Sequence, residues 1–178
     1  MPPFRHPLGL PTTNAAQVVD FPRELAGEAV ARARHVKTTT LVGRILFSVM
    51  FIMSAPGHFK SDTIAYAASA GVPLANLAVP VSGILALLGG LSILLGYKAR
   101  WGGVALIAFL VPVTVMMHNF WAVTDPMMHQ LQLVSFMKNV GLIGGALMFV
   151  VNGAGAFSLD ARLARRPGVA NDAALSAA

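Results

Sequence analysis

The chain has 178 residues, 56% of them hydrophobic and 11% charged, with a formal net charge of +6 and no cysteine. Soluble domains carry roughly 25% charged residues, so a soluble globular fold is excluded. The missing thiols exclude disulfides, cysteine-ligated iron–sulfur clusters and covalent c-type haem, and any electron transfer must run through a bound cofactor or a quinone.

Residues 1–37 form a basic tail. Met1 to Phe21 is rich in Pro, Thr and Asn and reads as disordered, while Pro22 to Val36, with RELAGEAVARAR, has the composition of a short surface helix. Nothing here resembles the apolar core of a signal peptide. The tail is expected to lie on the inner leaflet as an anchor or docking segment.

Residues 38–160 read as an all-α membrane domain, a four-helix transmembrane bundle with antiparallel neighbours. No Asp, Glu, Lys or Arg occurs between Thr63 and Tyr97, or between Trp101 and Thr124, and each run exceeds the ~20 residues that cross a hydrocarbon core as helix. The expected spans are Thr39–Phe59, Leu74–Leu95, Trp101–Val123 and Leu131–Val151. Gly96 to Arg100 and Ala122 to Gln130 are the tight turns, the second broken by Asp125-Pro126. Pro80 and Pro112 each remove a backbone donor and should kink their helices. Small residues let helices approach closely in lipid, and the expected pairs are Ala86 with Gly90 and Gly141 with Gly145. Residues 161–178 read as a cytoplasmic C-terminal tail.

The basic residues set an expected orientation. Arg5, Arg23, Arg32, Arg34 and Lys37 precede the first span, Lys98 and Arg100 follow the second, and Arg162, Arg165 and Arg166 follow the fourth. The two remaining loops hold only Lys60. The positive-inside rule then gives both termini in the cytoplasm, N-in and C-in. The basic excess is topogenic, with anionic lipid of the bilayer as its partner and no nucleic acid.

With that topology, polar groups from three helices converge towards the outer end. His58 and Lys60 close the first span. Thr114, His118 and Trp121 share one face of the third at i, i+4, i+7 spacing, followed by Asn119, Asp125 and His129. Lys138 and Asn139 sit about 10 Å down the fourth span at ~1.5 Å per residue. Arg44 lies at the opposite end, where a charge must snorkel or find a partner. Asp160, emerging on the same side, is the expected ion-pair partner.

Four stretches resemble the DoxX family of small bacterial membrane proteins. LVGRILFSVMFIMSAPGHFK is similar to the family's arginine early in helix one and its glycine-x-x-lysine ending, here Arg44, Gly57 and Lys60. LLGGLSILLGYKARWGG carries a Gly-Gly, an apolar run, a glycine and a basic turn. HNFW ends helix three with histidine, and FMKNVGLIGGALMFVVNGAGAFSLD has the family's Lys-Asn, Gly-Gly and Gly-x-Gly…Ser-Leu-Asp order. Many members carry an acidic residue in helix two before the Gly-Gly, and VSGILALLGG has none. A proton-transfer step that rested on that carboxylate would need another group here. The resemblance implies a four-helix membrane fold, and the family's association with quinol oxidase and thiosulfate:quinone oxidoreductase systems implies a redox setting.

Two functions are expected from these residues. The first is a quinone- or redox-linked accessory, with a redox enzyme subunit as partner. His118 or Lys138 would hydrogen-bond a quinone oxygen, with Asn119, Asn139, His58 and Lys60 beside them. Trp121 would pack on the ring, and Asp125 and His129 would relay protons, a role suited to groups that exchange protons near neutral pH. The plainer reading has His118 capping backbone groups, Trp121 in the interfacial aromatic belt and Lys138 snorkelling to water. The second function is a non-catalytic scaffold that docks a soluble or membrane enzyme through the basic N-terminal tail or the SLDARLARR end; the absence of any nucleophile–base pair, phosphate loop or dehydrogenase fingerprint favours it. A homo-oligomer is a further expected association. No metal site is expected, since no HxxxH spacing puts two histidines on one helical face. A small transporter would need inverted repeats with broken helices, and none is apparent.

Overall fold

The computed structural model describes residues 15–165, and side chains from residue 25 onward. The chain divides into two compact units, Met1–Val36 and Lys37–Ala178. The described part of the first is helix, the beginning of α1 (Ala15–Ser54). The expected disorder from residue 1 to 14 lies outside the described residues, but Ala15 to Phe21 is helical. Pro22–Val36 is helical, within the range of α1. Glu24, Leu25, Ala26, Ala29, Ala31, Arg32 and Ala33 are strong helix formers, and no proline interrupts the backbone between Pro22 and Pro56.

In the second unit, α1 tightens into a 3-10 turn at Ala55–Phe59, where Pro56 removes a backbone donor. There follow α2 (Ser61–Ser69), α3 (Ala75–Leu95) and α4 (Ala99–Met117). A 3-10 turn at Phe120–Ala122 leads to α5 (Pro126–Asn152) and the short α6 (Leu159–Leu163). Four segments are long and apolar enough to cross a membrane: Leu25–Phe59, Ala75–Leu95, Ala99–Ala122 and Pro126–Asn152. Consecutive spans run antiparallel.

Two boundaries and one additional helix differ from expectation, each for a local reason. Helix α4 ends at Met117, so His118 is its C-cap with φ −124° and ψ 43°, and the single face expected for Thr114, His118 and Trp121 is broken. Thr114 is buried and its hydroxyl donates back to Leu110 O at 2.6 Å, whereas Trp121 is exposed. Helix α5 starts five residues early because Asp125 is a true N-cap: its carboxylate accepts from Met128 N–H at 2.8 Å, with Pro126 next in the first turn. Helix α2 was unexpected. Its Ala67 and Ile64 pack on Ala75 and Val79 of α3, so it lies against that end of the bundle rather than looping free.

Two packing modes hold the bundle. The contacts of α3 with α4 and of α4 with α5 are glycine-mediated. A methyl group at Gly89 would lie 2.8 Å from the Leu106 side chain, one at Gly102 2.6 Å from Ser92 Oγ, and one at Gly103 2.8 Å from Ala146 O. Small residues of this kind let lipid-embedded helices touch backbone to backbone. Helix α1 instead packs through aromatic rings: Phe47 lies 5.2 Å from both Phe51 and Phe149, and Phe51 stands edge-on to Phe109 at 6.3 Å. These rings act as spacers, and the room they leave lies towards the 3-10 turn. The expected small-residue pairs are half right. Gly90 faces Phe51 and Ile52, and Gly145 faces Phe47, but Gly141 meets nothing within 4 Å and is exposed on the outer face of α5.

The opposite end is tied by polar bonds, though not by the expected ion pair. Arg44 is 3% exposed and donates to Ala154 O at 2.8 Å and Phe157 O at 2.6 Å. Asp160 instead accepts from Lys98 N–H at 3.0 Å, and its own N–H bonds Gly96 O at 3.0 Å. The physical reason is geometric. The loop after α5 presents carbonyls that no helical N–H satisfies, and they lie within reach of the guanidinium fork. Asp160 sits in the first turn of α6, where the helix N-terminus favours a carboxylate. Gly96, with φ 66°, makes the left-handed stop of α3, closed by Tyr97 N–H to Ser92 O at 3.0 Å. A side chain there would collide with Ser158 and with Arg44 Nη1.

Candidate functional site

The bundle end that holds the 3-10 turn contains two adjoining cavities. The larger, about 500 Å³, lies between the 3-10 turn, α2, α3 and α4; Tyr66, Val79, Leu85, Pro112 and Met117 form much of its wall. It is strongly apolar, with Thr63, Ser82 and the histidines as its polar points. The smaller, about 200 Å³, lies between α1, α4 and α5 and includes Ser54, Phe109, Lys138 and Asn139. His58, Phe109, Val113 and His118 line both. The two histidines thus stand in the partition between the larger apolar chamber and a smaller one that also holds Ser54, Lys138 and Asn139.

Local structure fixes each of these groups. His58 is held in the 3-10 turn, its Nδ1 3.2 Å from Ser54 O and its ring edge-on to Phe109 at 5.5 Å. A carbonyl only accepts, so the proton sits on Nδ1 and Nε2 carries the lone pair. Gly83 of α3 lies under this side chain: a methyl there would come 2.6 Å from His58 Cβ. His118 is turned inward by the irregular backbone after α4, and its Nδ1 lies 2.8 Å from Gln132 Oε1. Facing the amide oxygen, a neutral His118 ring donates from Nδ1 and leaves Nε2 as its acceptor. Asn139 is buried at 5% exposure on α5, and Lys138 is exposed beside it while also reaching the smaller cavity.

The candidate residues therefore divide. His58, His118, Lys138 and Asn139 come together at the cavities. Asn119, Trp121, Lys60, Asp125 and His129 line neither. Trp121 stacks edge-on with Phe120 at 5.2 Å and Phe136 at 5.9 Å, a cluster that His129 joins through Phe120 at 5.6 Å. His129 Nδ1 lies 3.3 Å from Val123 O, and Asp125 is occupied as the α5 cap. Asn119 and Lys60 are N-caps of short helical segments without side-chain bonds. Among the described residues, no three His, Cys, Asp or Glu side chains form a group that could hold a metal ion.

Comparison with known proteins matches the DoxX family model over residues 39–119. Inner membrane protein YphA of Escherichia coli K12 is 31% identical over 124 residues, 68% of this chain and 88% of that protein. Inner membrane protein YqjF of the same strain is 30% identical over 128 residues, 71% of this chain and 92% of that protein. The chain belongs to the DoxX family. No solved structure matches it. Together with the four spans, this kinship makes it a multi-pass protein of the inner membrane. The DoxX match includes Arg44, His58, Gly83 and His118, and it stops before Gln132, Lys138 and Asn139.

Gln132, Thr63, Tyr66 and Ser82 were missed by sequence reasoning. Gln132 had a signal: it stands seven residues before Asn139, hence on the same face of α5. Thr63 and Tyr66 had none, because α2 was read as loop.

Proposed function

We propose that this DoxX protein is a quinone-linked accessory subunit that binds the ligand between its two cavities. The apolar chamber takes the ring and the start of the isoprenoid chain, since its volume lies within the range typical of small-molecule sites, about 300–1,000 Å³. The head group meets the partition. His58 and His118, each with Nδ1 engaged and Nε2 available, suit a ligand that donates hydrogen bonds, which is the quinol form. Lys138 would place a positive charge beside an oxygen that loses its proton. When a quinol is oxidised, two O–H bonds break and two electrons leave. The histidines receive the protons, and the electrons pass to a redox centre of the partner enzyme, because a chain without cysteine has no thiol relay of its own. The basic end, with Lys98 and Arg100, faces the cytoplasm on this reading.

The observation that carries the proposal is the shared lining: the same two histidines border both chambers. Extraction of quinones from the purified protein tests it, beside His118→Ala and Lys138→Ala. Quinone should co-purify with the parent and fall several-fold in both variants. If none co-purifies and both variants complement a deletion strain, the reading is wrong.

A second reading, a non-catalytic assembly subunit, draws support from Asp125 and His129. Each has one polar atom engaged by a backbone group, and neither lines a cavity, so the expected outward relay stands apart from the head-group position. A pull-down with residues 1–37 deleted separates the two: a lost enzyme partner with unchanged quinone content favours assembly.

A further inference from the structure

At the Arg44 end a third cavity, about 410 Å³, opens between the α3–α4 turn, the C-terminus of α5 and α6. Its wall includes Lys98, Arg100, Trp101, Asn152, Ser158 and Asp160. We propose that it is a binding site for the phosphate of an anionic phospholipid headgroup.

The charge and the level of the site both point there. Lys98 and Arg100 are exposed and form no ion pair among the described residues; the Lys98 ammonium stands 5.7 Å from the Tyr97 ring centroid. Asp160 contributes one negative charge to the wall, but its Oδ1 is taken by the Lys98 backbone N–H. The two cations therefore outnumber it, and the Arg44 guanidinium lies behind the same wall, bonded to Ala154 O. The Asn152 amide donates to Met148 O at 3.0 Å and keeps a second N–H for a ligand oxygen. At Gly153 the backbone lies open towards the cavity, with Arg100 Nε the one neighbour a Cβ would meet, at 3.8 Å.

A free phosphate offers the same oxygens, and the surroundings favour the lipid. Trp101 is 72% exposed and Tyr97 46% exposed on the rim. Such rings anchor at headgroup depth, where acyl chains lie along the bundle and a lipid phosphate stands level with Lys98 and Arg100. Basic pockets at the ends of membrane helices are suited to acidic headgroups.

The chain has two tryptophans, which permits a direct test. Trp121→Phe leaves Trp101 as the sole tryptophan, excited selectively at wavelengths beyond tyrosine absorption, and full-length protein is reconstituted in vesicles carrying brominated phosphatidylglycerol or brominated phosphatidylcholine. Quenching should report a preference for phosphatidylglycerol of several-fold. Lys98→Ala and Arg100→Ala should together abolish it, each basic side chain near the surface being worth roughly fivefold in partitioning. Arg162→Ala, which removes a nearby charge outside the cavity, should leave the preference intact. Equal quenching by both lipids in the parent overturns the proposal. An equal loss in Arg162→Ala overturns it in favour of diffuse surface charge, and loss of the preference on adding millimolar inorganic phosphate overturns it in favour of a soluble anion. Unchanged near-UV circular dichroism in the double variant shows that its loss is not unfolding; if the double variant unfolds, Lys98→Gln alone must lower the preference.

Discussion

Gly83 makes the place in which His58 sits: the two residues belong to different helical segments, and a single methyl added to Gly83 would stand 2.6 Å from His58 Cβ. Neither backbone is free to yield, because the 3-10 turn carrying His58 is packed on α3. Gly83→Ala should therefore cost about 1–3 kcal/mol of stability, as overpacking in a filled interior does. It should also lower quinone occupancy by turning the imidazole out of the partition. His58→Ala in the same chain removes the obstructing ring beyond Cβ, not Cβ itself, so it should recover only part of the stability. Thermal unfolding of the three variants in detergent checks this, and an unperturbed Gly83→Ala melt would mean that the close approach does not constrain His58.

Arg44 should be the most sensitive residue at the other end. Its two hydrogen bonds join α1 to the loop between α5 and α6, and their loss leaves the buried Ala154 carbonyl and the part-buried Phe157 carbonyl without a donor. Arg44→Met should destabilise the protein by about 2–4 kcal/mol, each hydrogen bond to a charged group contributing roughly 1.5–3 in isolation and less jointly. Arg44→Lys should rescue little, since one ammonium does not reproduce the planar two-pronged fork. Asp160→Asn, by contrast, should leave the Arg44 contacts intact. If Asp160→Asn and Arg44→Met destabilise equally and without additivity, the two are one ion pair after all.

Asp125 separates a structural carboxylate from a proton relay. As the N-cap of α5 it should cost about 1 kcal/mol when replaced by alanine, and Asp125→Ser, which can still accept from Met128 N–H, should restore most of that. Quinone content should be unchanged in both. A loss of function in Asp125→Ser at full stability would return the carboxylate to the proton path.

How much of this was legible in the residues follows from which forces act. The four spans and their antiparallel order were readable because hydropathy over some 20 residues is a strong, additive signal, and a charge-free run from Thr63 to Tyr97 has few other uses. Arg44 was readable as a residue needing a partner, but its partner was not. An arginine fork is satisfied by carbonyls as well as by carboxylates, and the carbonyls of Ala154 and Phe157 have no sequence signature. The convergence of His58, His118, Lys138 and Asn139 towards one end followed from helix rise alone. Their separation from Trp121, Asp125 and His129 did not, because it depends on α4 stopping at Met117, one residue before the histidine. Helix α2 escaped notice because SDTIAYAAS is short and only weakly apolar, and is helical through packing on Ala75 and Val79.

The absence of cysteine turns the orientation into a direct measurement. Lys60→Cys, in the exposed turn before α2, and Tyr97→Cys, in the exposed turn after α3, lie at opposite ends of the bundle and introduce one thiol each into a chain that has none. Of the loops between spans, the basic ones should remain in the cytoplasm, so a membrane-impermeant maleimide added to intact spheroplasts should label Lys60→Cys and spare Tyr97→Cys until the membrane is opened. The reverse pattern would put Lys98, Arg100 and the third cavity on the outside. It would also place the two histidines at the cytoplasmic leaflet, where quinol protons would be released inward.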